Sequence, residues 1–213
     1  MTTDLEAEPA AAREILGDGL ERARAFAADL AEQGEELGLI GPMEAERLWS
    51  RHVLNCALVA PLLRGGSRVA DVGSGAGLPG LVLAIARPDV ELVLIEPMER
   101  RTAWLLAETA RLALDNVTVV RARAEDAVGA GPFEQITARA VSALTKLIPL
   151  TVPLASDGGE LLFLKGARVH DEVLAARAVL RRHGIREYEV LELGGDLLPE
   201  ATRLFRATVV GAS

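Results

Sequence analysis

From residue 68 onward, short apolar or β-branched runs alternate with amphipathic stretches of helical spacing. The runs predict strands over 68–72, 90–95, 117–120, 133–138, 159–164, 186–193 and 203–210. The amphipathic stretches predict helices near 79–87, 98–113, 143–152 and 168–183. This alternation is typical of an α/β fold with a mostly parallel sheet and helices on both of its faces. No helix separates the last two strands, so we expect them to pair antiparallel.

Before residue 65 the apolar positions follow helical spacing only. Residues 5–36 predict one or two amphipathic helices, interrupted by Gly17 and Gly19, and a further helix is predicted over 43–63, ended by Gly65 and Gly66. We therefore predict an N-terminal helical cap over 1–64 and an α/β domain over 65–213. Together they should form one compact unit.

Composition and charge narrow the class of protein. Half of the residues are hydrophobic and a quarter are charged, as in globular proteins. No apolar run approaches the roughly 18 residues of a membrane span, and the acidic start of the chain is unlike a secretory signal, so we expect a cytoplasmic protein. The single cysteine, Cys56, and three scattered histidines predict no metal site.

The net charge of −8 argues at first against a nucleic-acid partner. However, residues 1–50 hold twelve acidic and four basic residues, and the remaining residues hold nineteen of each. The acidity is therefore confined to the predicted cap, and the charge of the α/β domain does not exclude RNA.

The stretch "VADVGSGAGLPGLVLAIA" places a glycine loop between a strand and a helix, where ligands bind in α/β sheets. Gly75, Gly77 and Gly80 match the dinucleotide pattern G-x-G-x-x-G, which alone is weak evidence for NAD. Asp71 at the strand end would repel the pyrophosphate of NAD but suits the cationic groups of S-adenosylmethionine. Glu96, after the next strand, is placed for the ribose hydroxyls of either cofactor.

A further contact is predicted in "RARAEDA", where Ala124 and Glu125 would lie beside the adenine. The plainer alternative is that Asp71 caps the next helix, the glycines form a tight turn and Glu125 begins a helix. The coincidence of the loop and both acids favours a class I methyltransferase, a Rossmann-like fold.

Absent motifs restrict the reaction. The segment "FEQITARAVSAL" lacks the Asn/Asp-Pro-Pro-aromatic motif of exocyclic amine methylation, and no cysteine lies near the predicted sheet edge for covalent attack on pyrimidines. A Lys/Asp set for deprotonating a ribose hydroxyl is also missing from the sequence. The reactions that remain are methylations of an acceptor atom that already has an available lone pair and needs no deprotonation.

Four segments, "LWSRHVLNCALVAPLL", "VADVGSGAGLPGLVLAIARPD", "ARAVSALTKL" and "LLFLKG", closely resemble the bacterial small-subunit rRNA guanine-N7 methyltransferases, the glucose-inhibited division protein B family. The resemblance runs from about residue 36 to 210. It implies binding of S-adenosylmethionine and methylation of N7 of one guanine in 16S rRNA. The implied partner is 16S rRNA or a small-subunit precursor, with no stable protein partner.

The resemblance also implies site residues. Cofactor contacts are implied for Asp71, Gly73, Ser74, Gly75, Gly77, Leu78, Pro79, Glu96, Ala124, Glu125 and Arg139. Arg139, Lys165 and His52 are the candidate catalytic positions, and Arg51 and Arg206 are weaker candidates for contacts with cofactor or RNA. Asn55 and Cys56 depart from the family's usual Asp-Ser, which puts the role of that segment in doubt.

Other functions stay open on the sequence alone. A class I methyltransferase could act on another RNA, a protein or a small molecule. A NAD-dependent oxidoreductase and a non-catalytic cofactor-binding module are the alternatives from other classes.

Overall fold

A computed structural model of the protein describes residues 5–211. It contains one sheet with strands β1 Arg68–Val72, β2 Glu91–Ile95, β3 Val117–Val120, β4 Phe133–Arg139, β5 Ala155–Lys165, β6 Tyr188–Leu193 and β7 Thr202–Thr208. The seven strands lie in the order β3-β2-β1-β4-β5-β7-β6. Neighbours from β3 to β5 are parallel, and β7 is antiparallel to β5 and β6. The predicted sheet and its antiparallel last pair are confirmed.

The helices are α1 Ala12–Leu16, α2 Leu20–Gln33, α3 Leu54–Ala57, α4 Gly80–Ala86, α5 Glu99–Arg111, α6 Leu144–Thr151 and α7 Val169–Arg182. The helices α4 to α7 confirm the predictions between the strands. A 3-10 turn over Gly17–Gly19 separates α1 from α2, as the glycines predicted.

The single helix predicted over 43–63 is wrong. The segment consists of a 3-10 turn at Glu44–Arg47, a π-helical turn at Leu48–Val53, α3 and a second 3-10 turn at Ala60–Leu62. Arg47 leaves the helical region, with φ −140° and ψ 27°, and separates the first two turns. Pro61 has no N–H to continue a helix, and it lies in the last turn.

Helices cover both faces of the sheet, as predicted. On one face, Phe26 and Leu30 of α2 are buried in the same hydrophobic cluster as Leu83 of α4. On the other face, Leu147 of α6 and Ala176 of α7 are buried in a second cluster. The N-terminal helices thus share a core with the sheet. The boundary between the cap and the α/β domain at residues 64 and 65 stays a prediction. The first residues of the predicted cap, 1–4, and the last residues of the predicted domain, 212–213, lie outside the described residues.

Polar residues on β4 connect the sheet to the N-terminal segment. Alternate residues of a strand point to the same face, and on β4 these are Gln135, Thr137 and Arg139. The fully buried Gln135 donates to the carbonyl of Leu62 (2.9 Å) and accepts from the amide of Arg64 (2.8 Å). Because buried polar groups need partners, these bonds help to set where the end of the cap meets the sheet.

Within residues 5–211, no group of three or more His, Cys, Asp or Glu side chains could hold a metal ion. No helix in the same range is long and apolar enough to cross a membrane.

Candidate active site

The carboxyl ends of β1, β2 and β4 meet at one edge of the sheet, beside two adjoining cavities. The first cavity, of about 330 Å³, is lined by the glycine loop after β1 together with Glu44, His52, Arg101 and Arg139. The second cavity, of about 590 Å³, is lined by residues that include Glu96, Met98, Ala124 and Glu125. Gly73, Arg101 and Ala140 line both cavities, so the two form one continuous region.

The glycine loop leaves its backbone close to the first cavity. Gly73 has a φ of +72°, and a Cβ added there would lie 2.7 Å from Cγ2 of Val141, so the position accepts no side chain. The Gly73 amide donates to the carbonyl of Ile95 (2.8 Å), and the Gly75 amide donates to Oε2 of Glu96 (3.0 Å). The loop is therefore fastened to the end of β2. The predicted contacts Gly73, Ser74, Gly75 and Leu78 line this cavity.

Gly77 and Pro79 are not among the residues that line either cavity. The Gly77 amide donates to the carbonyl of Ser74 (2.7 Å), and the Gly77 carbonyl accepts from the amide of Leu81 (2.8 Å). Pro79 immediately precedes α4. Both residues shape the turn into α4, and their cofactor contact stays a prediction.

The sequence predicted that Asp71 would face the cationic groups of a cofactor. In the structure its side chain is instead fully buried beneath the loop. One carboxylate oxygen accepts the amide of Gly80 at the start of α4 (3.0 Å), and the other accepts the hydroxyl of Thr137 (3.1 Å). A Cβ at Gly80 would lie 2.6 Å from the Asp71 carboxylate, so only glycine allows this approach. Burial raises the pKa of Asp71 to about 6, although its hydrogen bonds act in the opposite direction.

Glu96 is brought to the second cavity as predicted. Its side chain is buried, and its two oxygens accept the amides of Gly75 (3.0 Å) and Met98 (2.9 Å). Ala124 and Glu125, predicted to lie beside an adenine, line the same cavity from the turn that follows β3. The structure therefore brings these three predicted residues together.

Arg139 ends β4 and reaches across to the N-terminal segment. Its guanidinium donates to the carbonyl of Arg51 (3.2 Å), to Sγ of the buried Cys56 (3.2 Å) and to Nδ1 of His52 (2.7 Å). It also lines the first cavity and a third cavity on its other side. This side chain thus lies between two cavities and holds the cap to the sheet edge.

His52 is fixed between a cation and an anion. Arginine only donates, so Nδ1 accepts from Arg139, and the proton lies on Nε2, which is 2.5 Å from Oε2 of Glu44. Burial, together with the charge of Arg139, lowers the pKa of His52, while Glu44 opposes the shift. The neutral Nε2–H tautomer therefore dominates at neutral pH, and His52 acts as a link between Glu44 and Arg139.

Lys165, at the end of β5, lies in the third cavity, of about 630 Å³. Its ammonium donates to Oε2 of Glu172 (2.7 Å) and to the carbonyl of Ser142 (2.9 Å). Arg51, Arg139 and Arg203 also line this cavity. The structure thus brings the predicted Lys165 and Arg139 to one space, with Arg51 beside them.

Arg206 lies away from this edge. In the pairing of β5 with β7, Arg206 lies opposite Leu162, whereas Arg203 lies opposite Lys165 at the end of β5. The Arg206 guanidinium contacts Glu160 (2.5 Å and 2.9 Å) and Glu189 (3.5 Å). Arg206 therefore takes part in ion pairs across the sheet and does not line these cavities, whereas Arg203 does; the contact of Arg206 with RNA stays a prediction.

Sequence reasoning missed Glu44, Glu172 and Arg203 at these cavities. Glu44 and His52 are eight residues apart in a segment with mixed helical turns, so regular helical spacing could not pair them. Arg101 also lines the first cavity, and its Nε is buried and has no partner among the described residues. The position of Arg203 follows once β7 is placed antiparallel to β5.

The sheet order, the glycine loop after β1 and the acid after β2 define a class I methyltransferase. Solved structures share the fold. Fibrillarin from Aeropyrum pernix, solved with S-adenosyl-L-methionine bound, matches with a TM-score of 0.57 and 18% identity over 74% of this chain and 75% of that chain. An rRNA methylase from Streptococcus thermophilus matches with a TM-score of 0.53 and 15% identity over 74% of this chain and 95% of that chain.

The chain belongs to the rRNA small subunit methyltransferase G family, whose model, GidB, matches residues 19–199. A ribosomal RNA small subunit methyltransferase G from Leifsonia xyli subsp. xyli is 61% identical over 98% of this chain and 100% of that protein. A protein of the same name from Clavibacter michiganensis subsp. michiganensis is 58% identical over 96% of this chain and 97% of that protein. The chain is therefore a methyltransferase that uses S-adenosylmethionine, and the NAD alternative is set aside.

Asp71 should make stability depend on pH. Its pKa is about 6 in the folded chain against 3.8 as the ordinary value, so the folded state binds a proton that the unfolded state lacks between these values. Stability from this group therefore increases as pH falls through that range. Relative to Asp71→Asn, the wild type should gain about 2 kcal/mol in the free energy of unfolding between pH 7 and pH 4. Urea unfolding measures this gain, and parallel pH curves for the two proteins would contradict it.

Proposed function

We propose that the protein transfers a methyl group from S-adenosylmethionine to N7 of a guanine in 16S rRNA. The observation that carries the proposal is the position of Arg139, which lines both the first cavity and the third cavity. A cofactor in the first two cavities and a base in the third would meet beside this side chain. The name shared by the relatives supports ribosomal RNA as the substrate.

The residues present fit the cofactor. Gly73 leaves no side chain between the loop and the cavity, and Glu96 offers a buried carboxylate for ribose hydroxyls. Arg101 lines both cavities, and its buried Nε has no partner among the described residues. We assign the cofactor contacts to Gly73, Ser74, Gly75, Leu78, Glu96, Ala124, Glu125 and Arg139, with Asp71, Gly77 and Pro79 positioning the loop.

Guanine N7 needs no general base. When bound, S-adenosylmethionine supplies a methyl group on a positively charged sulfur. Guanine N7 would accept this methyl group through its own lone pair, and because N7 carries no proton, no residue of the chain would have to remove one. The chain's task is therefore to position the two reactants and to exclude water.

The candidate catalytic residues fit this task. Arg139 is held by His52, Cys56 and the carbonyl of Arg51, so its guanidinium is fixed before substrate arrives. His52 acts as a positioning residue, since both of its ring nitrogens are already engaged. Lys165 lies in the third cavity and is available to contact the base.

The substrate would be 16S rRNA itself or a precursor of the small subunit, in the cytoplasm where ribosomes assemble. The part of the α/β domain that surrounds the third cavity supplies the cations Arg139, Lys165 and Arg203. The acidic cap contributes Arg51 to the same cavity. This distribution supports binding of RNA at the sheet edge in spite of the net charge of −8.

Labelled methyl transfer tests the function. The purified protein and labelled S-adenosylmethionine should label 16S rRNA from a strain that lacks this gene, and should leave rRNA from a strain that carries it unlabelled, because there the site is already methylated. Mapping should place the label on N7 of one guanine. Equal labelling of both RNAs, or of neither, would contradict the proposal, and transfer to a protein or small molecule would favour the alternative acceptors.

Glu96 should control cofactor affinity. Glu96→Ala removes the proposed ribose acceptor and the partner of the Gly75 amide, so the affinity for S-adenosylmethionine should fall about 10- to 100-fold. Glu91→Ala, at the exposed start of β2, the strand that Glu96 follows, is the matched control and should bind as the wild type does. Calorimetry measures both values. Unchanged affinity in Glu96→Ala would contradict the assignment.

A further inference from the structure

We infer that the ion pair between Lys165 and Glu172 reads the Watson–Crick edge of the target guanine and so distinguishes it from other purines. The inference rests on the proposed function. It assigns a specificity role to Glu172, a residue in the first turn of α7 that the resemblance did not include.

The pair is located where a base would have to enter. Lys165 and Glu172 line the third cavity, which shares Arg139 and Ala140 with the first cavity. Its volume of about 630 Å³ is in the range of small-molecule sites and is large enough for a nucleotide turned out of a helix. If the Watson–Crick edge of a guanine in the third cavity faced Lys165 and Glu172, its N7 would lie on the other side of the base, toward Arg139.

Both members of the pair keep unused hydrogen-bonding capacity. The Lys165 ammonium has three donors, of which Glu172 and the carbonyl of Ser142 take two. Oε2 of Glu172 accepts from Lys165 and from the amide of Leu144 (3.1 Å), whereas Oε1 has no partner within residues 5–211. The pair therefore offers one donor and one acceptor side by side.

The donor and acceptor of the pair match the Watson–Crick edge of guanine and do not match that of adenine. The Watson–Crick edge of guanine has an acceptor, O6, next to the donors N1–H and N2–H. Lys165 would donate to O6, and Oε1 of Glu172 would accept from N1–H and N2–H. Adenine has the reverse order, a donor at N6 and an acceptor at N1, so it would place like groups against each other.

The charge of the pair favours a base over a phosphate. The Lys165 side chain is only 9% exposed, and its charge is balanced by a carboxylate at 2.7 Å. A phosphate would be repelled by Glu172, whereas a neutral base edge needs both a donor and an acceptor. The more exposed Arg51 and Arg203, which line the same cavity, are better placed for the RNA backbone.

Base replacement at the target tests the inference. Small-subunit RNA is prepared with guanosine or with 2-aminopurine at the methylated position; 2-aminopurine keeps N7 and the 2-amino group but lacks O6 and N1–H. In Glu172→Ala, kcat/KM for guanosine should fall about 10- to 100-fold. The value for 2-aminopurine should change less than about threefold, because its N2–H would donate to Glu172 while its N1 acceptor would be repelled by the same carboxylate. Glu172→Gln, of nearly the same shape, should show the same pattern with a smaller loss, since its amide keeps one acceptor oxygen but loses the negative charge that strengthens the bonds from N1–H and N2–H.

Controls separate specificity from folding. Glu189→Gln removes a different carboxylate that contacts an arginine, Arg206, on the far part of the sheet, and it should keep the wild-type preference. Equal losses on guanosine and 2-aminopurine in both Glu172 variants would mean a merely structural role and would overturn the inference. An unchanged preference for guanosine would overturn it as well. If the wild type does not methylate guanosine at all, the proposed function itself fails.

Discussion

The Arg139 side chain is the contact on which the rest of the site depends. Its guanidinium is partly buried at the end of β4, and its N–H donors need acceptors there. The N-terminal segment supplies them through His52, Cys56 and the carbonyl of Arg51. Together with Gln135 near the other end of β4, Arg139 positions the cap along the strand.

The contacts of Arg139 with the N-terminal segment explain why residues of the cap line the candidate active site. Glu44 and His52 line the first cavity, and Arg51 and Asn55 line the third, although all four precede the sheet in sequence. Their positions require the irregular turns of residues 44–57, which a continuous helix would not reproduce. The first and third cavities, which we propose for cofactor and base, therefore share a wall that the cap and β4 build together. Methylation of a lone pair needs such positioning more than it needs a proton acceptor.

The fold was largely predictable from local pattern, since alternating apolar runs and amphipathic stretches mark strands and helices. The positions of Glu96, Ala124 and Lys165 followed from their places at strand ends. The role of Asp71 could not be predicted in this way. The sequence shows an acid beside a glycine loop, but it does not show whether the carboxylate faces the cavity or Gly80. The place of Arg203 beside Lys165 did not follow either, because strand register decides which arginine of β7 reaches the sheet edge.

Hydrogen exchange of the backbone amides in Arg139→Ala tests the central claim most directly. If Arg139 holds the cap to the sheet edge, amides in residues 48–57 should exchange at least about tenfold faster than in the wild type, because the loss of its hydrogen bonds lowers the cost of local opening. Amides in α4, which Arg139 does not contact, should keep their rates and serve as the internal control. Identical exchange in residues 48–57 of both proteins would contradict the account.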